Sequence, residues 1–265
     1  MPINIPNDLP AKAILNSEQV FVMTEDRSLH QDIRPLNLLF LNLMPKKINT
    51  EVQYLRKLSN TPLQVNITFL RVDDHISKNT PQSHMDNFYK DFDEIKDKIF
   101  DGMIVTGAAL DQTEFKDVTY WLNLKKILLW STKNVTSTLF SCWGVAAALK
   151  AFYDIDIIFR QDKLSGIYDV ELSSKIDTLT RGFDDVFKAP ISRYCDFPLD
   201  IINEKTDINV LASSKDVGLY LGVSGNGKQV YVSGHPEYDV DTLDQEYHRD
   251  LAANKSPNIP INYYP

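Results

Sequence analysis

Three side chains of this 265-residue chain could together perform nucleophilic chemistry: Cys142, His235 and Glu237. Cys142 stands in Ser141-Cys142-Trp143-Gly144, where the apolar run 135–141 gives way at once to a helix-like stretch, 143–153. A cysteine at such a junction is either a small buried hydrophobe or a nucleophile in a tight turn. The turn would lift the thiol above a sheet edge. The helix that starts at Trp143 would offer backbone N–H groups and positive potential, which favour a thiolate and can hold an oxyanion. The stretch lacks the first glycine of the usual nucleophile elbow. A thiol nucleophile needs a base, and the base needs an orienting acceptor. His235 and Glu237, in Ser233-Gly234-His235-Pro236-Glu237, follow another strand-like run and supply both residue types. Gly107, in Val105-Thr106-Gly107-Ala108-Ala109-Leu110, ends a further apolar run. Its simplest reading is a strand-to-loop turn, and it could also complete an oxyanion hole. Cys195, the other cysteine, reads as packing.

These residues need a scaffold that brings several strand ends together. Segments 36–43, 65–69, 102–107 and 135–141 read as strands, and 46–60, part of 85–100, 120–133 and 143–153 as helices. The helical face of 46–60 is expected at Ile48, Val52, Leu55 and Leu58. Residues 73–84 read as a long polar loop. Alternation of this kind predicts an α/β fold, a mostly parallel sheet flanked by helices with ligands at the strand C-terminal ends. Beyond residue 154 the chain turns β-rich, which predicts an appended antiparallel β layer with a turn at 224–227, then a helix over 242–254. Residues 1–35 read as an irregular lead-in and 36–265 as one domain.

Composition narrows the function classes. A net charge of -8 and a pI near 5.1 argue against a broad nucleic-acid surface or a polybasic membrane patch. Two cysteines are too few for a disulfide framework or a cysteine-rich zinc site, so no metal is expected and a reducing, cytoplasmic location fits best. The first twenty residues hold two acids, three prolines and no apolar core, unlike a signal peptide.

Strand–Cys–helix followed by His-Pro-Glu resembles the class I glutamine amidotransferase architecture, which is flavodoxin-like. The stretches Met44-Pro45-Lys46-Lys47, Arg181-Gly182-Phe183-Asp184-Asp185, Ser192-Arg193-Tyr194 and Gly234-His235-Pro236-Glu237-Tyr238-Asp239 are together more specific. With the segments around them, they resemble the homoserine O-acyltransferases, often called homoserine transsuccinylases, from about residue 36 to 265. The resemblance implies Cys142 as acyl-thioester nucleophile, His235 as general base and Glu237 as its partner. It implies Lys163, Ser192 and Arg249 as contacts to the acceptor substrate, and Lys46 and Lys47 in a turn near the oxyanion, beside Gly107 and Trp143. Taken alone, the lysines would read as solvated charges, Arg249 as a helix-pairing residue and Ser192 as a turn hydroxyl.

In that family a glutamate at position 111 goes with acetyl transfer and a glycine with succinyl transfer; here the residue is Asp111. A succinyl group brings its own carboxylate, and two like charges about 4 Å apart repel by roughly 4 kcal/mol at an effective dielectric near 20. The expected donor is therefore acetyl-CoA, a co-substrate, with no bound cofactor. The expected acceptor is L-homoserine, in methionine biosynthesis. Serine, in cysteine biosynthesis, is the alternative, because the altered 109–111 loop and an ending at Pro265, where family members typically continue, point to a changed acceptor pocket. A succinyltransferase, a glutamine amidotransferase and a non-catalytic binding protein are the other readings. The expected partners are small molecules, with no nucleic acid or membrane, and a homodimer is left open.

Overall fold

In the computed structural model, residues 3–18, 20, 22–28, 34–72, 79–173 and 177–265 are described. The chain divides into two compact units, 1–109 with 118–138, and 110–117 with 139–265.

The first unit runs β1 (Ile3–Ile5), α1 (Ala11–Ser17), β2 (Val22–Thr24), α2 (Glu25–Ser28), β3 (Leu36–Leu41), α3 (Lys47–Leu58), β4 (Val65–Leu70), α4 (Gln82–Phe88), β5 (Tyr89–Lys90), α5 (Phe92–Ile95), β6 (Phe100–Val105) and α6 (Trp121–Asn134), into the start of β7 (Val135–Ser141). Its strand order is β2-β1-β4-β3-β6-β7, with β5 on β4. The pairs β1–β2, β1–β4, β3–β4, β3–β6 and β4–β5 are parallel. Leu39, Phe40 and Leu41 of β3 are buried, and Phe40 meets Phe69 and Tyr54 edge-on at 5.6 and 5.2 Å. Strands so enclosed read as unbroken apolar runs, as this one does.

Three expectations change here. The lead-in is not irregular: β1, α1 and β2 bury Ile3, Ile5, Leu15 and Met23. Three-residue strands carry no readable period; β1 is held by pairing with β4, some sixty positions away, and β2 by pairing with β1. The buried face of α3 holds Lys47, Thr50, Glu51, Val52, Tyr54 and Leu55, because its charged members find buried partners. The polar stretch 73–84 ends inside α4, where His84 is buried with Nε2 2.9 Å from Glu51 Oε1. Positions 29–33 of the lead-in and 73–78 of that stretch lie outside the described residues.

The second unit takes the end of β7 into α7 (Trp143–Tyr153), β8 (Ile158–Leu172), β9 (Val186–Asp196), α8 (Leu199–Lys205), β10 (Asn209–Ser214), β11 (Gly218–Val223), β12 (Gln229–Val232) and α9 (Thr242–Ala252). Its strand order is β7-β12-β11-β10-β8-β9. The pairs β8–β9, β8–β10, β10–β11 and β11–β12 are antiparallel, as the β-rich pattern requires. β8 is continuous over fifteen residues, with an irregularity in its pairing to β9 between Phe159 and Leu164. The 224–227 turn closes β11 onto β12 through Gly227 N–H to Ser224 O at 2.8 Å, with Gly227 at φ +72°. Trp143 to Leu149 of α7 are all buried, the state expected of a helix that is apolar on every side.

Candidate active site

β7 delivers Cys142 to the N-terminus of α7 with φ 48° and ψ -115°. A non-glycine residue in that region stores about 1–3 kcal/mol, and the surroundings must hold it there. They do so from both sides: Cys142 N–H donates to Val232 O on β12, and Val145 N–H donates to Cys142 O, each at 2.9 Å. Trp143 heads α7, where first-turn amides have no intrahelical acceptor. Its ring is fully buried against Phe115 at 5.7 Å.

The segment after β12 carries His235 and Glu237. His235 N–H donates to Pro190 O of β9 at 3.0 Å, and Nδ1 lies 2.7 Å from Glu237 Oε1. The Cys142 side chain is near enough to act on the ring's charge. Both His235 and Glu237 are buried. Burial works against the imidazolium, but negative charge from Cys142 and Glu237 and the Glu237 hydrogen bond prevail and hold the ring well above the usual histidine range. The ring is thus able to hold a proton beside the Cys142 side chain.

β9 is the template that assembles these parts. Pro190 O holds His235, and Ser192 O lies 3.9 Å from Cys142 Sγ. Arg193 is 0% exposed, so every one of its donors must find a partner inside the protein. Nε donates to Cys195 O (2.6 Å), Nη1 to Ser233 O and Oγ (3.3 and 3.2 Å), and Nη2 to Val217 O (2.5 Å). Arg193 thereby fastens the Ser233 end of β12, two residues before His235, to β9. Burial pushes the Cys195 thiol up, consistent with a packing role.

Lys163, Ser192 and Arg249 converge on two carboxylates of α9, Glu246 and Asp250. Lys163 Nζ donates to Glu246 Oε2 at 3.2 Å and to Asp250 Oδ2 at 3.0 Å. Ser192 Oγ donates to Glu246 Oε2, and Tyr238 OH to Glu246 Oε1 at 3.0 Å. Arg249 does not present a free fork: Nε and Nη2 are 2.9 and 2.8 Å from Asp250 Oδ1, and Nη1 is 3.9 Å from Glu246 Oε1. Asp111 Oδ2 accepts the Tyr194 N–H, two positions along β9 from Ser192. Burial raises its carboxyl above the ordinary aspartate range against that bond and the nearby Lys163 charge.

Lys46, Lys47 and Gly107 belong to the first unit. Lys46 is exposed, whereas Lys47 is buried and donates through Nζ to Asn42 O at 2.5 Å and Met44 O at 3.4 Å, closing the turn between β3 and α3. Burial pulls its pKa down to about 8, with Glu51 opposing. Glu51 Oε1 also accepts Tyr89 OH at 2.7 Å.

Sequence reasoning missed Glu246, Asp250, Tyr238 and Arg193. The spacing of Glu246 from Arg249 and Asp250, three and four positions, places them on one helix face and was a usable signal. Tyr238 directly follows Glu237. Nothing local marks Arg193, since a buried arginine is the exception for its residue type.

Comparison with solved structures finds the same fold in glutamine amidotransferases. One from Thermotoga maritima aligns with a TM-score of 0.59 at 14% identity, covering 84% of this chain and 87% of its own. The glutaminase domain of CTPS from Trypanosoma brucei aligns at 0.53 and 10% identity, covering 86% and 97%. The fold is therefore that of class I glutamine amidotransferases. Within it, the homoserine O-succinyltransferase family profile matches residues 2–265. A homoserine O-acetyltransferase of Succinatimonas hippei is 63% identical over all of this chain and 88% of its own length. Homoserine O-succinyltransferases of Tolumonas auensis and Yersinia enterocolitica are 56% and 53% identical over all of this chain and 84% and 86% of theirs. The chain belongs to the homoserine O-succinyltransferase family, whose chemistry is acyl transfer from an acyl-CoA to homoserine.

Proposed function

We propose that the chain is a homoserine O-acetyltransferase that uses acetyl-CoA and works through an acyl-enzyme on Cys142. The observation that carries the mechanism is the Cys142–His235–Glu237 arrangement at the start of α7. The Cys142 thiolate attacks the thioester carbonyl, and first-turn amides of α7 receive the oxyanion. The intermediate collapses by breaking the bond to the CoA sulfur, which takes the proton from the His235 imidazolium. The neutral ring then removes the proton of the acceptor hydroxyl as that oxygen attacks the acyl carbon. Cys142 leaves as thiolate, and the imidazolium is restored. Lys163, Ser192 and Arg249 serve the acceptor: Arg249 Nη1 faces its carboxylate and Glu246 its ammonium.

Asp111 supports the choice of donor, since a half-buried carboxylate beside β9 disfavours a second one on the acyl chain. The name of the relative at 63% identity agrees, while those at 56% and 53% are named for succinyl transfer. The test is turnover of acetyl-CoA and succinyl-CoA with homoserine and with serine, compared as kcat/KM. Acetyl-CoA with homoserine is expected to lead; a lead for succinyl-CoA or serine reverses that part of the proposal. Incubation with acetyl-CoA alone should add one acetyl mass at Cys142. An active Cys142→Ala variant is incompatible with the mechanism.

A further inference from the structure

Between the catalytic base and the acceptor cluster stands one residue to which neither role has been given. The Tyr238 ring stacks on His235 with centroids 4.1 Å apart and planes 18° from parallel. Its hydroxyl donates to Glu246 Oε1 at 3.0 Å, while Oε2 of the same carboxylate takes Ser192 and Lys163. We infer that Tyr238 is a positioning residue that sets the base against the acceptor: its ring face fixes the His235 imidazole, and its hydroxyl ties that face to the carboxylate holding the acceptor. The inference rests on the proposed acceptor role of Glu246 and its neighbours.

The argument follows from what each half-reaction needs. Acylation asks His235 to face Cys142 and a leaving sulfur, and the Nδ1 bond to Glu237 with the ring stack is enough for that. Deacylation also requires the ring to meet a hydroxyl whose place is dictated by α9. Misplacement on the scale of an ångström is costly at that step. Tyr238 is the shortest physical link between the two. The charged groups around His235 are Cys142 from the β7–α7 turn, Glu237 from its own segment and Glu246 from α9. The Tyr238 hydroxyl is desolvated and held beside Glu246 and Glu237, so it keeps its proton and remains a donor. A carboxylate offers about four lone-pair sites, so Glu246 can accept an ammonium without releasing the tyrosine.

Tyr238→Phe keeps the ring stack and removes the tie; Tyr238→Leu removes both. Acyl-enzyme would be formed from acetyl-CoA or succinyl-CoA, whichever labels Cys142, then discharged with homoserine or with hydroxylamine, a nucleophile too small to reach α9. In Tyr238→Phe, discharge by homoserine is expected to slow about tenfold or more, and discharge by hydroxylamine less than about threefold. The pH profile of Cys142 alkylation by iodoacetamide should stay in place in Tyr238→Phe and move in Tyr238→Leu. Equal slowing with both nucleophiles, or none with homoserine, overturns the inference while leaving the acyltransferase reading intact. If neither acyl-CoA labels the wild-type chain, that reading fails, and the inference with it.

Discussion

At position 111 the proposed choice of donor rests on a single carboxylate. Asp111 is bonded to the Tyr194 amide and partly desolvated, so its charge is poorly screened toward an acyl group beside β9. Replacing it with glycine should narrow the acetyl-over-succinyl ratio of kcat/KM by roughly ten- to a thousandfold, the equivalent of about 1.4–4 kcal/mol. The sign of the pH effect is also determined. Because the Asp111 carboxyl is raised, it gains its proton at a higher pH than an ordinary aspartate as the medium is acidified. Neutralising it removes the repulsion, so the succinyl-to-acetyl ratio should climb as the medium is acidified in the wild type and stay flat in Asp111→Gly. A ratio that ignores both pH and substitution places donor choice elsewhere. Residue type and position at strand ends single out Cys142, His235 and Glu237 in the sequence, and the structure places His235 Nδ1 against Glu237. Arg193 is not singled out in this way, because only the packed interior turns an arginine into a clamp on three carbonyls and a hydroxyl.

Helix α9 and the β3–α3 turn each carry charge that has to be positioned. On α9, Asp250 already occupies two donors of Arg249, which leaves the Nη1 edge for the substrate carboxylate in the proposed acceptor site. Arg249→Lys should therefore raise the homoserine KM sharply while slowing acyl-enzyme formation far less, as single-turnover labelling of Cys142 can show. Comparable loss in the labelling step assigns Arg249 to folding or to CoA. In the β3–α3 turn the buried Lys47 ammonium is held by two carbonyls, with its pKa at about 8. A buried lysine with a lowered pKa penalises the fold most below that pH. Between about pH 8 and 10.4 the unfolded chain holds the extra proton, so stability rises with pH, by up to about 3 kcal/mol. The difference between wild-type and Lys47→Met unfolding free energies should follow that rise. A pH-independent difference means that the ammonium is not desolvated as its burial implies. The apolar periods of 46–60 misled at this scale: the buried side of α3 includes Lys47 and Glu51, and a pattern built on hydrophobicity passes over charges that find partners inside.

At the scale of the whole molecule, the proposed passage of two substrates through one thiol constrains the steady state. Initial rates at varied acyl-CoA and fixed homoserine concentrations should give parallel double-reciprocal lines. Intersecting lines mean direct transfer and remove the acyl-enzyme. Among the described residues no helix is long and apolar enough to cross a membrane. The sequence by itself determined the alternation that makes an α/β sheet, the antiparallel β-rich second half, and the placement of Cys142 between Val135–Ser141 and Trp143–Tyr153. Each of these is written in local period, residue type or junction, and local signals survive in one dimension. Tertiary structure alone decided that the first residues join the sheet, that Arg193 is buried, and that Lys163, Ser192, Tyr238 and Arg249 gather around Glu246 and Asp250. Those outcomes depend on pairing between segments tens of residues apart, where the stabilisation lies in contacts that no single stretch of sequence contains.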